Sequence, residues 1–356
     1  MGGEIIMFRP PVLRLSSFYL GQALFLASVV MCLTIGYSIK PTLAAPTADD
    51  VLNALPISDS QKQDVLDGKV VKWTTTEAGE RELAVGVIML MKGKPEKAAQ
   101  LFRGAEGYKQ IDAITAHGVI VGKGTEADFA KLALEPNGEK ETARYLDAEP
   151  GDDLNLDSKE ISAFQALKAK IQDGDGKKKA VEALIKKNLL ARLQAYQAKG
   201  LAGVGPYERG GKEERLSNQE ILLSVDAAKM MTQFYPKFIE ILRNYPNADM
   251  AGVEESYFWL NIEVFSRPLF VLSHRMLYKD GETYVASDRH FYASREYNSL
   301  QAGGGVFPKG DRSLVVYLYR VSTDQVGGFG SSAKHPVSRA LMGPYVEELF
   351  EKIQGK

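Results

Sequence analysis

The chain has 356 residues, 45% apolar and 25% charged, with a net charge of −1. That is the make-up of a globular protein, and it carries no net positive field to draw it to nucleic acid. The only cysteine is Cys32, so beyond it there are no disulfides, thiolate nucleophiles or cysteine metal ligands.

Residues 1–17 hold Arg9 and Arg14 against one acid, Glu4, and an almost unbroken apolar run extends from Phe18 to Ile39 before Lys40. Thr42-Leu43-Ala44 is small at its first and third positions, as signal peptidase requires, so residues 1–44 are expected to be a signal peptide. The alternative is a retained anchor through residues 18–39, an apolar run long enough to span a bilayer. Either way the body, residues 45–356, is expected to work in the periplasm or outside the cell.

Ser58 to Asp67 predicts a short helix stopped by Gly68. Lys69–Thr76 and Arg81–Met91 predict two strands around the turn Glu77-Ala78-Gly79-Glu80, the second buried on both sides. Pro95 opens a helix through Phe102, at a position where its missing N–H costs little.

The middle reads as helical and polar, an insertion over roughly 125–260. Asp157-x-x-Glu160 predicts a capping box before Ile161–Ile171, and Ser217-x-x-Glu220 a second one. Between them Val181, Leu184, Ile185, Leu189, Leu193 and Tyr196 make the apolar stripe of a helix over 180–199.

Leu269–Tyr278, Thr283–Asn298 and Ser313–Val321 are rich in aromatic and β-branched residues and predict an antiparallel meander. Asp280-Gly281 and Pro308-Lys309-Gly310-Asp311 mark its turns. Val337, Leu341, Tyr345, Leu349 and Ile353 then give a terminal amphipathic helix, kinked or restarted at Pro344. The fold class is therefore α+β, one domain over 45–356.

Most motif-like stretches fail on their own chemistry. Ser331-Ser332-Ala333-Lys334 has the S-x-x-K spacing, but no K-T-G follows it and the Y-x-N of Tyr245-Pro246-Asn247 precedes it, the wrong order for such a nucleophile. Gly118–Thr125 misses the P-loop glycine spacing and its Ser/Thr. Asp152-Asp153-x-Asn155-x-Asp157 lacks the glycine and the final glutamate of a calcium loop. The four histidines are scattered, so neither a metal nor another cofactor is expected.

The pairing of the meander is more informative. A two-residue turn at Asp280-Gly281 would set Arg275 opposite Ala286, Ser273 opposite Asp288 and Val271 opposite His290 on one face. Leu269, Leu277, Tyr284 and Tyr292 would share it. An apolar, aromatic face with a few charges is the lining of a ligand cavity; the alternative has this face solvated and Phe270, Leu272, Met276 and Phe291 in the core.

Ser273-His274, Ala286-Ser287, Tyr292-Ala293-Ser294 and Val316-Tyr317-Leu318-Tyr319-Arg320, with Asp324 and Gly327-Gly328-Phe329, resemble a family of exported bacterial proteins to which no activity is attached. Where that family tends to show Ser-His-Tyr, this chain has Ser294-Arg295-Glu296. The element order also resembles the helix-grip fold of START-type lipid-transfer domains. In that fold an antiparallel sheet curls around a C-terminal helix and leaves a cavity between them.

The expected function is an exported protein holding an apolar or lipid-like ligand between sheet and C-terminal helix, with Arg275, Asp288, His290, Tyr284, Tyr292 and Arg320 as ligand-binding residues. Replacing Arg275 by Ala is expected to weaken binding and leave folding intact. The alternatives are an envelope assembly protein whose helical middle docks a protein partner, and a hydrolase or isomerase using His290 and Asp288.

Overall fold

The long apolar runs of the C-terminal half build one antiparallel sheet. The structure, a computed structural model, describes residues 45–354 except 152, 172–175 and 329, with the backbone alone at 110 and 341–346. The putting-together of residues 1–44, including the apolar run 18–39, lies outside the described residues.

Ten strands are assigned among the described residues: β1 (Val71–Thr74), β2 (Glu82–Lys92), β3 (Ile114–Ile120), β4 (Tyr207–Glu208), β5 (Glu214–Arg215), β6 (Val253–Val264), β7 (Arg267–Asp280), β8 (Thr283–Ala293), β9 (Ser299–Lys309) and β10 (Arg312–Ser322). The main sheet runs β1-β2-β10-β9-β8-β7-β6-β3, with every pair antiparallel. β6 lies partly inside the span expected to be helical. The run expected over Thr283–Asn298 ends at Ala293, and β9 was hidden by its three consecutive glycines, Gly303–Gly305.

The helices are α1 (Ala48–Ala54), α2 (Asp59–Leu66), α3 (Pro95–Arg103), α4 (Gly138–Leu146), α5 (Ser158–Lys170), α6 (Gly176–Lys199), α7 (Ser217–Ala227), α8 (Lys229–Phe234), α9 (Pro236–Asn244) and α10 (Ser331–Gln354). Ser58 and Asp157 form the reciprocal capping boxes that end their chains' orphan N–H groups. Ser217 does not: the cap of α7 is Leu216, and Glu220 is drawn off to Asn298. α10 continues through Pro344 as one helix.

Both faces of the sheet are covered, which is why β7 and β8 read as continuous buried runs. On the first face Ile88, Phe270, Leu272, Met276, Phe291 and Val316 pack against the α6 stripe Val181, Ile185, Leu189, Leu193 and Tyr196. The second face carries Val85, Val87, Met89, Leu277, Ala286, Val306 and Val315, covered by Ala98 and Ala99 of α3 and by Phe350 of α10. The 3-10 turn Ala105–Gln110 lays Tyr108 over the same face at Phe258, Leu260, Leu269 and Val271.

The expected α10 stripe is corrected at its start and kept at its end, where Ile353 packs against the second face. Val337 is 61% exposed, and among the described side chains of α10 the buried apolar one is Phe350. The first half of the helix is held by polar contacts instead, with His335 and Arg339 both on Glu77.

Candidate functional site

The hairpin β7–β8 turns on Gly281 and Glu282, with Gly281 at φ 60°, so Asp280 pairs with Thr283. A left-handed φ at the first turn residue suits glycine, which has no Cβ to clash. The whole register is therefore two residues away from the expected one. Arg275 stands directly opposite Asp288, and Ser273 opposite His290. A shift of two leaves every side chain on its expected face, because the strand repeat is two.

One residue escapes that rule. Ser273 pairs with His290 but Leu272 pairs with Tyr292, leaving Phe291 as an extra residue in β8. Past this bulge the alternation changes phase. Tyr292 consequently points to the α6 side, its ring 4.4 Å from the Arg192 guanidinium and 6.1 Å from the Tyr207 ring.

Arg320 also lies on that opposite face. It forms a fully buried pair with Glu82 (Nη1 to Oε2 2.7 Å) and donates to the carbonyls of Thr76 and Ala227. Tyr284 is on the expected face but at the far end of the hairpin, bonded to Glu96 with its ring beside Arg103 and Lys279. Of the six expected ligand residues, Arg275, Asp288 and His290 come together, and Tyr284, Tyr292 and Arg320 do not.

Asp288 is the hub of a buried row. Its Oδ1 accepts from Ser273 Oγ at 2.6 Å and its Oδ2 from Arg275 Nε at 2.9 Å, while the Tyr108 hydroxyl lies 3.4 Å from Oδ2. His290 Nε2 is 3.7 Å from Oδ1, and its Nδ1 is 2.7 Å from the Tyr297 hydroxyl. Arg275 is itself locked: its Nη1 points at the Leu101, Phe102 and Gly104 carbonyls ending α3, and its guanidinium stacks 3.9 Å from the Tyr108 ring centre. The C-terminal carbonyls of a helix favour a cation there.

Burial pushes the Asp288 carboxyl up, but Arg275, His290 and the Ser273 hydroxyl outweigh it and hold it below its ordinary value. Burial pushes the His290 imidazole down despite Asp288. Tyr108, Tyr297, Tyr317 and Tyr319 are all raised, chiefly by burial. At neutral pH the row thus holds one cation, one anion, a neutral imidazole and neutral phenols.

The sheet beside the row is built from small residues. Ala286, Ala302 and Gly304 follow one another on the second face, with Ala302 opposite both Asp288 and Tyr319 and Gly304 opposite Ala286 and Tyr317. Tyr317 touches both covering helices, its ring 5.9 Å from Phe102 of α3 and 5.7 Å from Phe350 of α10. Tyr317 and Tyr319 are partly exposed, and neither hydroxyl takes part in a hydrogen bond among the described residues. Burial raises both phenols, so each stays a neutral donor and acceptor.

Tyr317 and Tyr319 were legible as alternate residues on β10 beside Val315, whereas Tyr108 and Tyr297 come from a 3-10 turn and a loop without any periodic signal. The remaining motifs are absorbed structurally. Asp153 pairs with Arg267, Asn155 donates to the Ala293 and Tyr297 carbonyls, and Asp157 caps α5. Lys334 donates to the Gly327 carbonyl. Gly118 leaves room for the Trp259 indole. Among the described residues no group of His, Cys, Asp or Glu is placed to hold a metal, and no helix is long and apolar enough to cross a membrane.

No family model, curated protein or solved structure matches this chain.

Proposed function

We propose that this is an exported binding protein on a helix-grip scaffold, holding an apolar or lipid-like ligand between the second sheet face and the helices α3 and α10. The order of elements supports the scaffold. β2, the small helical segments and β3 come first, β6–β10 then form a meander that returns beside β2, and α10 lies last against β2. The inserted helices α4–α9 cover the opposite face.

The observation that carries the reading is the pair Tyr317 and Tyr319, two partly exposed phenols without a hydrogen-bond partner among the described residues, beside the small residues Ala286, Ala302 and Gly304. Apolar burial over those small residues supplies affinity at about 25 cal/mol per Å². The phenols and the His290–Tyr297 pair orient the polar end, while Arg275 and Asp288 neutralise each other and hold the row in place. Gentle purification of the exported chain, organic extraction and mass spectrometry test this. A stoichiometric apolar molecule is expected; an empty protein that also refuses fluorescent lipids overturns it.

A second reading, acid–base catalysis at the same place, is favoured by the contact of His290 Nδ1 with the Tyr297 hydroxyl. Turnover of an extracted ligand that disappears in His290→Gln, with binding retained, is the outcome it requires.

A further inference from the structure

The strand register places several turns at one end of the sheet. Glu82 pairs with Ser322, Ser322 with Ser299, and Val264 with Arg267, while β8 ends at Ala293 and β3 begins beside Ile262. The Tyr297–His290 end of the polar row lies there, and so does the β1–β2 turn, whose Glu77 and Glu80 grip His335 near the start of α10.

Phe265 projects at this end. It is 83% exposed, the most exposed of the large apolar side chains described. With Ser266 it forms the two-residue turn between β6 and β7, at φ 52° and 56°. Left-handed φ at both central positions is the type I′ geometry, for which Asn-Gly is favoured and a bulky aromatic residue is an outlier.

The strained tip is braced. Asn137, itself at φ 67°, donates through Nδ2 to the Ser266 carbonyl at 2.7 Å, and Arg295 donates to the Val264 carbonyl at 3.2 Å. Arg267 is tied to Glu141 and Asp153 beside it. Strain that neighbours hold in place points to use of the side chain it displays. Val337, 61% exposed two residues past His335, lies near the same end.

We infer that this end of the sheet touches a lipid bilayer, with Phe265 entering the interface at the end that also carries the His290–Tyr297 pair. This inference rests on the lipid-like ligand proposed above, which has to pass between membrane and groove. One aromatic tip is far too small for a stable protein interface, which buries on the order of 1,000 Å² or more. It is of the right size for weak, reversible membrane contact. Arg144, Arg267 and Arg295 near the tip are each paired with a carboxylate, so the lipid need not be anionic.

The test is flotation of the purified chain with phosphatidylcholine vesicles, with and without added phosphatidylglycerol, for the wild type, Phe265→Ser and the double variant Phe265→Asn/Ser266→Gly. The double variant installs the favoured turn residues, so it should fold at least as stably as wild type. Both variants are expected to lose about tenfold in vesicle partitioning, and phosphatidylglycerol is expected to change wild-type partitioning little. The inference is overturned if wild type does not float, or if the variants float equally well. It is also overturned if the wild type forms dimers that Phe265→Ser dissolves, which would assign the tip to a second copy of the chain. Lipid recovered by extraction from a wild-type protein that does not float would sink the membrane contact and leave the binding function standing.

Discussion

Asp288 and Tyr319 occupy the same face of the sheet and should respond to substitution in opposite ways. Asp288→Asn leaves the Arg275 guanidinium buried without its counter-ion, and removing one partner of a buried pair costs about 3–5 kcal/mol. Arg275→Ala strands Asp288 likewise, so from the locked position of Arg275 it is now expected to cost stability as well as binding. Tyr319→Phe removes a hydroxyl without a partner among the described residues and should change stability by no more than about 0.5 kcal/mol, while lowering occupancy by the ligand proposed above. Urea unfolding and ligand-to-protein ratios by mass spectrometry check the contrast; a Tyr319→Phe variant that loses stability would give that hydroxyl a structural role.

Glu220 offers a second residue-scale test. Burial, followed by the nearby Asp324, raises its carboxyl to about 7 against the counter-effect of Asn298, Arg215 and Arg81. A raised carboxyl binds its proton more tightly in the folded chain than in the unfolded one. Its contribution to stability therefore falls as pH rises from about 4.5 to 7 and is constant above that. Glu220→Gln should remove this loss, stabilising the protein by about 1–3 kcal/mol at pH 8 and by almost nothing at pH 4.5. Melting curves at the two pH values decide it, and equal shifts at both would place the effect elsewhere.

At the scale of elements, β9 depends on glycine for close approach. A Cβ on Gly304 would sit 1.9 Å from the Val316 carbonyl oxygen and 2.9 Å from the Tyr317 Cα, both backbone atoms of the paired strand. Gly304→Ala should cost about 3 kcal/mol by forcing β9 and β10 apart, visible as a lower urea midpoint. The same glycines explain why β9 was illegible, since glycine is depleted in strands and supplies no alternation to read. β2, α2, α3 and α5 were legible because their signals are local: two-sided apolar runs, a first-turn proline and capping boxes. The face of Arg275, Asp288 and His290 was legible because a register error of two preserves faces. Tyr292 was misplaced because one bulged residue, Phe291, has no signature in composition. Arg320 was misplaced for want of the β2 partner Glu82, which lies far away in sequence.

For the molecule as a whole, α10 is the element best suited to admit the ligand proposed above. Among its described side chains the apolar anchorage comes from Phe350 and Ile353, and much of the rest is polar: His335 and Arg339 on Glu77, Lys352 on Asp112, Lys72 on Glu347 and Gln354 on the Leu90 carbonyl. Partly exposed ion pairs contribute little each and are screened by salt, whereas β7–β10 are hydrogen-bonded on both sides and covered on both faces. Burial pushes the His335 imidazole down, but Glu77 and the Glu80 carbonyl outweigh it and hold it above its ordinary value. The His335 contact is thus complete below the free imidazole range and is lost as pH rises past the raised value. Amides of α10 are expected to exchange with deuterium through a local opening of lower free energy than that of β7–β10. That opening should be easier in high salt and at pH 8 than at pH 6 once intrinsic exchange rates are corrected for. A bound apolar ligand should slow α10 and β8–β10 together. Exchange of α10 only through global unfolding would make the helix a fixed wall, and a ligand would then have to enter past α3.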